Sequence, residues 1–315
     1  MIVDVFYAAP AFLILALAVY TTVVRGTFAA TVGFLAFGIA VTITWVQLHA
    51  VDVALTEAAV GAGLTSLLLV RASHRLKATE AASRAETPRL AVKLAAGLVA
   101  GVVGGGVALA VLTLPDPAPT LAPATAANLA ATGVGNPITA VLMAFRAMDT
   151  MLEAIVVLLA LIGIWSLAPD RAWGGRPGPR YDADPDGILA FIARVLPPIG
   201  IVVGVFIFWI GADHPGGKFQ GATIVAAMWL LAMLAGLADA PPTARRGVRA
   251  LLVAGPIAFL AVGVLGIVTA GAFLAYPEAA AKPMILVIEF ALMPSLAFTL
   301  GLIMAGAPER PEDGR

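Results

Sequence analysis

Four carboxylates lie within long apolar stretches of this sequence: Glu57, Asp149, Glu153 and Glu289, with a single arginine, Arg146, beside the second and third. An ionised side chain in hydrocarbon costs about 2.5 kcal/mol or more, so each of these acids is either part of an ion or proton path or is held by a partner. Glu57 stands in "DVALTEAAVGAG", six residues or roughly 9 Å of helical rise inside the end of its apolar run at Val51. Ala54, Ala58 and Gly61 are three or four residues from it, and small residues let a second helix approach closely. A carboxyl buried in such a contact can exchange a proton near neutral pH, as a relay requires. The alternative is a glutamate that only joins two helices. Asp52, at the helix end, reads as an interfacial or capping residue.

The second constellation is "NPITAVLMAFRAMDTMLEAIVVLLALIGIW". Asn136 followed by Pro137 is a helix start, asparagine as cap and proline at the first position. Arg146, Asp149 and Glu153 follow at i, i+3 and i+7, one face of a helix. Arg146 and Asp149 are placed to form an ion pair, which leaves Glu153 as the deeper, less compensated acid. An unbroken helix from 137 to 167 would be about 46 Å long, more than the hydrocarbon core, so a break or bend is expected. Glu289 lies about five residues into the last apolar stretch, ahead of Pro294, which removes a backbone hydrogen bond. Nothing at helical spacing pairs with it. In "GADHPGGKFQGA", Pro215, Gly216 and Gly217 are turn chemistry. Asp213, His214, Lys218 and Gln220 around them are possible contributors to cation binding or proton shuttling.

These residues must be positioned by membrane helices. Of the 315 residues 61% are hydrophobic and only 12% charged, whereas soluble domains carry about a quarter charged residues. Nine apolar runs, near 5–24, 28–48, 51–70, 90–114, 140–167, 188–210, 220–237, 248–274 and 284–305, have roughly the length that crosses the bilayer as a helix. Their apolarity is continuous, which points to helices and away from a barrel. The first run lacks the basic n-region of a signal peptide and is read as retained. Lysine and arginine concentrate in alternate segments, from Arg25 through Arg71, Arg75, Lys77, Arg84, Arg89 and Lys93 to Arg310 and Arg315. The opposite loops hold Lys218 and Lys282. By the positive-inside rule the amino terminus is outside and the carboxyl terminus cytoplasmic. The expected fold is therefore all-α, a polytopic membrane protein of about nine spans.

The composition also excludes functions. A formal net charge of zero gives no support to a nucleic-acid partner, and the absence of cysteine removes disulfides, thiolate metal sites and iron–sulfur clusters. His49, His74 and His214 match no metal-ligand spacing, so no metal or cofactor is expected. Two linkers, "RASHRLKATEAASRAETPR" and "APDRAWGGRPGPRYDADPDG", separate groups of three, two and four spans. The first reads as a basic interfacial segment and the second as a flexible joint.

Three motifs carry a resemblance to a known family. "DVALTEAAVGAGL" resembles the MbhD-like segment in the large subunit of Mrp-type multisubunit Na⁺/H⁺ antiporters. "NPITAVLMAFRAMDTMLEAIVVLLALIG" is similar to the MbhE-like segment that follows it there, related to the J subunit of bacterial complex I. "ADHPGGKFQGA" resembles the MrpB signature GHNxPGGGFQGGL, with Lys218 and Ala222 where that signature usually has glycine and Asp213 where it usually has asparagine. The resemblance implies an MbhD-like module over 1–89, an MbhE-like module over 90–170 and an MrpB-like module over 185–308. It implies a transporter subunit and not an enzyme, in a bacterial inner membrane, beside a separate antiporter-like large subunit. Glu57 and Glu153 fall on the glutamates of the first two segments and are the implied carriers of H⁺ or Na⁺. The same modules occur in membrane-bound hydrogenases and complex I relatives, so a redox-driven pump and a purely structural scaffold stand as alternatives.

Overall fold

The computed structural model describes residues 2–83, 89–182 and 184–311. Arg84 and Arg315, two of the basic residues named for the sequence, lie outside them. Each of the nine apolar runs falls on helix: α1 (Ile2–Val23), α2 (Thr27–Gln47), α3 and α4 (Val51–Thr56 and Ser66–Ser83), α5 (Leu90–Leu112), α8 (Ala147–Trp165), α9 (Ile188–Ile210), α10 (Lys218–Leu234), α11 (Arg246–Ala270) and α12 (Ala281–Ala305). Among the described residues seven helices are long and apolar enough to span a membrane, or eight if one bent pair counts as a span. The apolar helices at Ala8–Val23 and Lys218–Leu234 are shorter.

Several elements depart from the simple reading. α3 and α4 are one continuous rod whose middle, Glu57–Thr65, is π-helical. There the Thr65 hydroxyl donates to the Val60 carbonyl, five residues back. The expected break in the second constellation is present. α6 (Ala122–Thr132) leads through Gly133, φ 69°, into α7 (Pro137–Ala140) and a π-helical turn, Val141–Phe145, and the two halves bend by 85°. Arg146, at φ −130° and ψ 37°, ends the turn before α8 begins. Thr150 donates to the Leu142 carbonyl across this break. The Pro/Ala-rich segment 115–135 is thus partly helical.

The joint expected to be flexible is instead fastened. β1 (Arg176–Pro177) pairs antiparallel with β2 (Pro308–Arg310), and Pro177 and Pro308 are fully buried. Arg310 donates to both oxygens of Asp239, at 2.5 and 2.9 Å, and holds that carboxyl below the usual carboxylate range.

α12 is the centre of the molecule: 67% of its spanning window is buried, against none of α5. It packs on α10, α11 and α8, and α10 packs on α9 and on the π-helical middle of the α3–α4 rod. Ile285, Ile288 and Leu292, three and four residues apart, are fully buried and give α12 the apolar face of the main core. The outward apolar residues of the other helices have lipid as their solvent.

Candidate functional site

The loop from Gly211 to Gly217 is a tight reversal, as its composition predicts. Gly216 and Gly217 sit at φ 151° and 149°, and a Cβ on Gly211 would lie 2.6 Å from the backbone of Gly217. The turn also aims its next residue. Lys218 opens α10 and is carried inward, where it is only 4% exposed. Its Nζ lies 3.0 Å from the sulfur of Met143 and 3.5 Å from Oε1 of Glu289, itself 3% exposed in the middle of α12. The pairing that helical spacing could not supply for Glu289 thus comes from a residue 71 positions earlier.

This pair lies in the wall of a cavity of about 440 Å³. From α3 and its π-helical continuation Asp52, Thr56 and Val60 face it, and from α8 Glu153 and Val157 do so. Both sets are at four-residue spacing, the contact repeat of a helix face. Glu153 is exposed on the outer wall of the cavity, while Lys218 and Glu289 form its buried end. Gln220 closes the side, its Nε2 donating to the Thr56 hydroxyl at 3.0 Å.

The structure therefore brings together Glu153, Lys218, Gln220 and Glu289 in one cavity wall and leaves Glu57, Arg146, Asp149, Asp213 and His214 outside it. Glu57 is half-buried beside this cavity but not in its wall. One residue after Thr56, it is turned by about 100° around the rod. Its carboxylate folds down over Gly61, where a Cβ would collide with it. Gly38 of α2 meets Ala62 at a distance that leaves 3.1 Å for a Cβ, a close approach at a residue outside the Ala54, Ala58 and Gly61 set expected from sequence. Arg146 and Asp149 form the expected ion pair at 2.5 Å, but both are well exposed. Asp213 accepts two hydrogen bonds from Lys282, each 2.8 Å, and one from the Gly135 backbone N–H. Lys282 holds its carboxyl below the usual range. His214 contributes its carbonyl, which accepts from Asn136.

Asn136 caps α7 as expected, accepting from the Ile138 N–H at 2.9 Å with Pro137 next. Asp52 does not cap α3. Its Oδ1 accepts from Asn136 Nδ2 at 3.2 Å and from the Gly216 N–H at 3.0 Å, and so ties three separate segments together. Thr139 adds a hydrogen bond to the Gly211 carbonyl at 2.6 Å. The four-residue spacing of Asp52 and Thr56 was visible in the sequence, but their partners were not.

Residues 12–78 match the MbhD family model, which describes the D-type subunit of MBH, and residues 188–307 match the MnhB model, a domain related to the MnhB subunit of a Na⁺/H⁺ antiporter. No curated protein matches the chain. Among solved structures, a chain of the Mrp complex from Dietzia sp. DQ12-45-1b superposes with a TM-score of 0.71 at 23% identity, covering 97% of this chain and 35% of that one. A chain of the membrane-bound sulfane sulfur reductase, an archaeal respiratory membrane complex, gives 0.54 at 20% identity, covering 68% and 99%. The present chain thus spans about a third of the Mrp chain that it resembles in fold.

Proposed function

From a chain that joins an MbhD segment to an MnhB-related segment, we propose a membrane subunit of a multisubunit cation/proton antiport complex of Na⁺/H⁺ type. The observation that carries this reading is the Lys218–Glu289 pair, buried at the end of a cavity whose open wall holds Glu153. A fixed cation between two carboxylates allows one of them to gain or lose H⁺ or Na⁺ while the other keeps the lysine neutralised. Glu153 is the exchanging acid and Glu289 the retained one. Glu57, on the adjoining face of the rod, is a second carrier position. Arg146 and Asp149 lie at the exposed head of α8 and set the local field. The partner is a separate antiporter-like large subunit, placed against the exposed side of Glu153, and the intervening residues 90–170 form an MbhE-like module. The amino terminus is outside in this arrangement.

The test is transport by the assembled complex in membrane vesicles carrying Glu153→Gln or Glu57→Gln, charge-neutral changes of the same size. Normal assembly with lost antiport supports the proposal, and parental antiport in both variants sinks it. A second reading, a membrane-arm subunit of a redox-driven pump, draws on the likeness in fold to the respiratory sulfane sulfur reductase. Redox-bearing subunits in the purified complex would favour it.

A further inference from the structure

A second cavity, about 310 Å³, lies beside the first on the membrane face that carries the 211–217 loop. His49, Asp52, Asn136, Asp213 and His214 are in its wall. Asp52, Val53 and Ile138 belong to both walls, so the two spaces meet at this waist. Each is many times the ~30 Å³ that one water molecule occupies, and each offers several polar groups to bind it. At the waist a single oxygen, Oδ1 of Asp52, receives the Asn136 side chain and the Gly216 N–H. The same Asn136 amide is shared with the carbonyls of Gly211 and His214. The waist thus carries hydrogen bonds that water can replace, beside the apolar side chains of Val53 and Ile138, which are themselves 40% and 43% exposed.

We propose that the two cavities form one aqueous entrance from the 211–217 face to Glu153, Lys218 and Glu289, and that the Asp52 carboxylate is the latch at its waist. The inference rests on the reading of those three residues as the exchange site and adds the side from which water and the transported cation reach them. Asp52 acts here through its acceptor oxygen, as a positioning residue. Its charge is incidental to closure.

The chain has no cysteine, so Val60→Cys places a single thiol of this chain in the inner cavity wall and His214→Cys one in the outer. The complex, in intact cells and in inverted vesicles, is treated with the membrane-impermeant cation trimethylammonioethyl methanethiosulfonate, and modification of this chain is followed by mass. Val60→Cys is expected to react from the same face as His214→Cys, and more slowly. Adding Asp52→Ala is expected to speed the Val60→Cys reaction by about fivefold or more, the factor that one or two net hydrogen bonds are worth. The His214→Cys rate stays within about twofold, because that site lies outside the latch. Asp52→Asn keeps an oxygen that can accept both hydrogen bonds, and it should leave the Val60→Cys rate near the parental one. Asn136→Ala removes the donor and provides a second way to open the latch where Asp52→Ala does not accumulate. Silence of Val60→Cys from both faces, or reaction only from the face opposite to His214→Cys, overturns the entrance. An unchanged rate in both opened variants, or an Asp52→Asn rate as high as that of Asp52→Ala, overturns the latch. Labelling does not require turnover, so failure of the antiport reading would leave these rates unaffected.

Discussion

Two lysine–carboxylate pairs join the same two segments of this protein, with opposite polarity. Near the membrane surface Lys282 of α12 reaches back to Asp213 of the 211–217 loop. Seven residues further along α12, Glu289 receives Lys218 from the helix that follows that loop. By geometry the outer pair is better: Nζ lies 2.8 Å from both oxygens, against 3.5 Å from one in the inner pair. By consequence the order reverses. The outer side chains are 35% and 49% exposed and screened by water, whereas the inner ones are 4% exposed. An exposed pair contributes about 0–1 kcal/mol, while breaking a buried one costs about 3–5 kcal/mol because the remaining charge has no solvent. Distance ranks these contacts wrongly, and burial ranks them correctly.

The largest expected effect follows directly. Lys218→Met leaves Glu289 enclosed by α10 and α12 without its cation, and it should lower the stability of the complex by about 3–5 kcal/mol, read as thermal unfolding in detergent. Lys218→Met combined with Glu289→Leu removes both charges and should recover most of that loss, since a buried pair exchanged for apolar side chains is near neutral. Antiport should remain absent from the double variant. Recovery of stability and transport together would mean that the pair is only structural.

Glu153 tests whether the inner pair serves exchange. Glu153→Gln should reduce antiport by about tenfold or more, the loss of roughly 1.4 kcal/mol in the transport barrier, with thermal stability close to parental because this side chain is exposed. A smaller effect is expected at Gly61→Ala. The new Cβ would strike the Glu57 carboxylate at the flexible end of its side chain, so the carboxylate rotates away and folding is little disturbed. Antiport should fall a few-fold while stability changes by less than about 1 kcal/mol, the surface-substitution range widened for a helical Gly to Ala exchange. Equal loss of stability and transport would assign Glu57 to helix packing.

Much of the helical layout was legible because it depends on local properties. Apolar runs of spanning length fall on helices, and Asn136 followed by Pro137 begins one. The excess length predicted after Pro137 is taken up by the π turn and by Arg146. The ion pair of Arg146 with Asp149 was legible for the same reason, since three residues along one chain suffice to define it. What was hidden depends on packing between distant segments. The partner of Glu289 stands at a position where glycine is usual in the signature that it resembles, and a turn reading leaves no reason for that side chain to point inward. Asp52 looked like a cap because a carboxylate at a helix start often is one, yet its acceptor oxygen is taken by Asn136 and Gly216. Glu57 stands outside the cavity wall that holds Glu153 by a single step of rotation, 56 to 57, which no periodicity of apolar residues could register. The second linker looked mobile from its glycines and prolines, but Pro177 and Pro308 are buried where the two short strands meet.

The outer pair provides the smallest effect and the sharpest check on the ranking. The Lys282 hydrogen bond holds the Asp213 carboxyl below its ordinary pKa. A carboxylate with a depressed folded-state pKa stabilises the protein above its unfolded value and loses that contribution as pH falls through the folded one. Lys282→Ala should therefore lower the unfolding temperature at pH 7 by the equivalent of less than about 1 kcal/mol, given the exposure of both groups. The difference from the parental protein should shrink as pH drops below about 4, where Asp213 protonates without its lysine. Added salt at pH 7 should reduce it as well, since an exposed pair is screened. A loss at Lys282→Ala as large as that at Lys218→Met, or one indifferent to pH and salt, would reverse the order of the two pairs. It would place the stability of the loop–α12 junction at the membrane surface instead of beneath it.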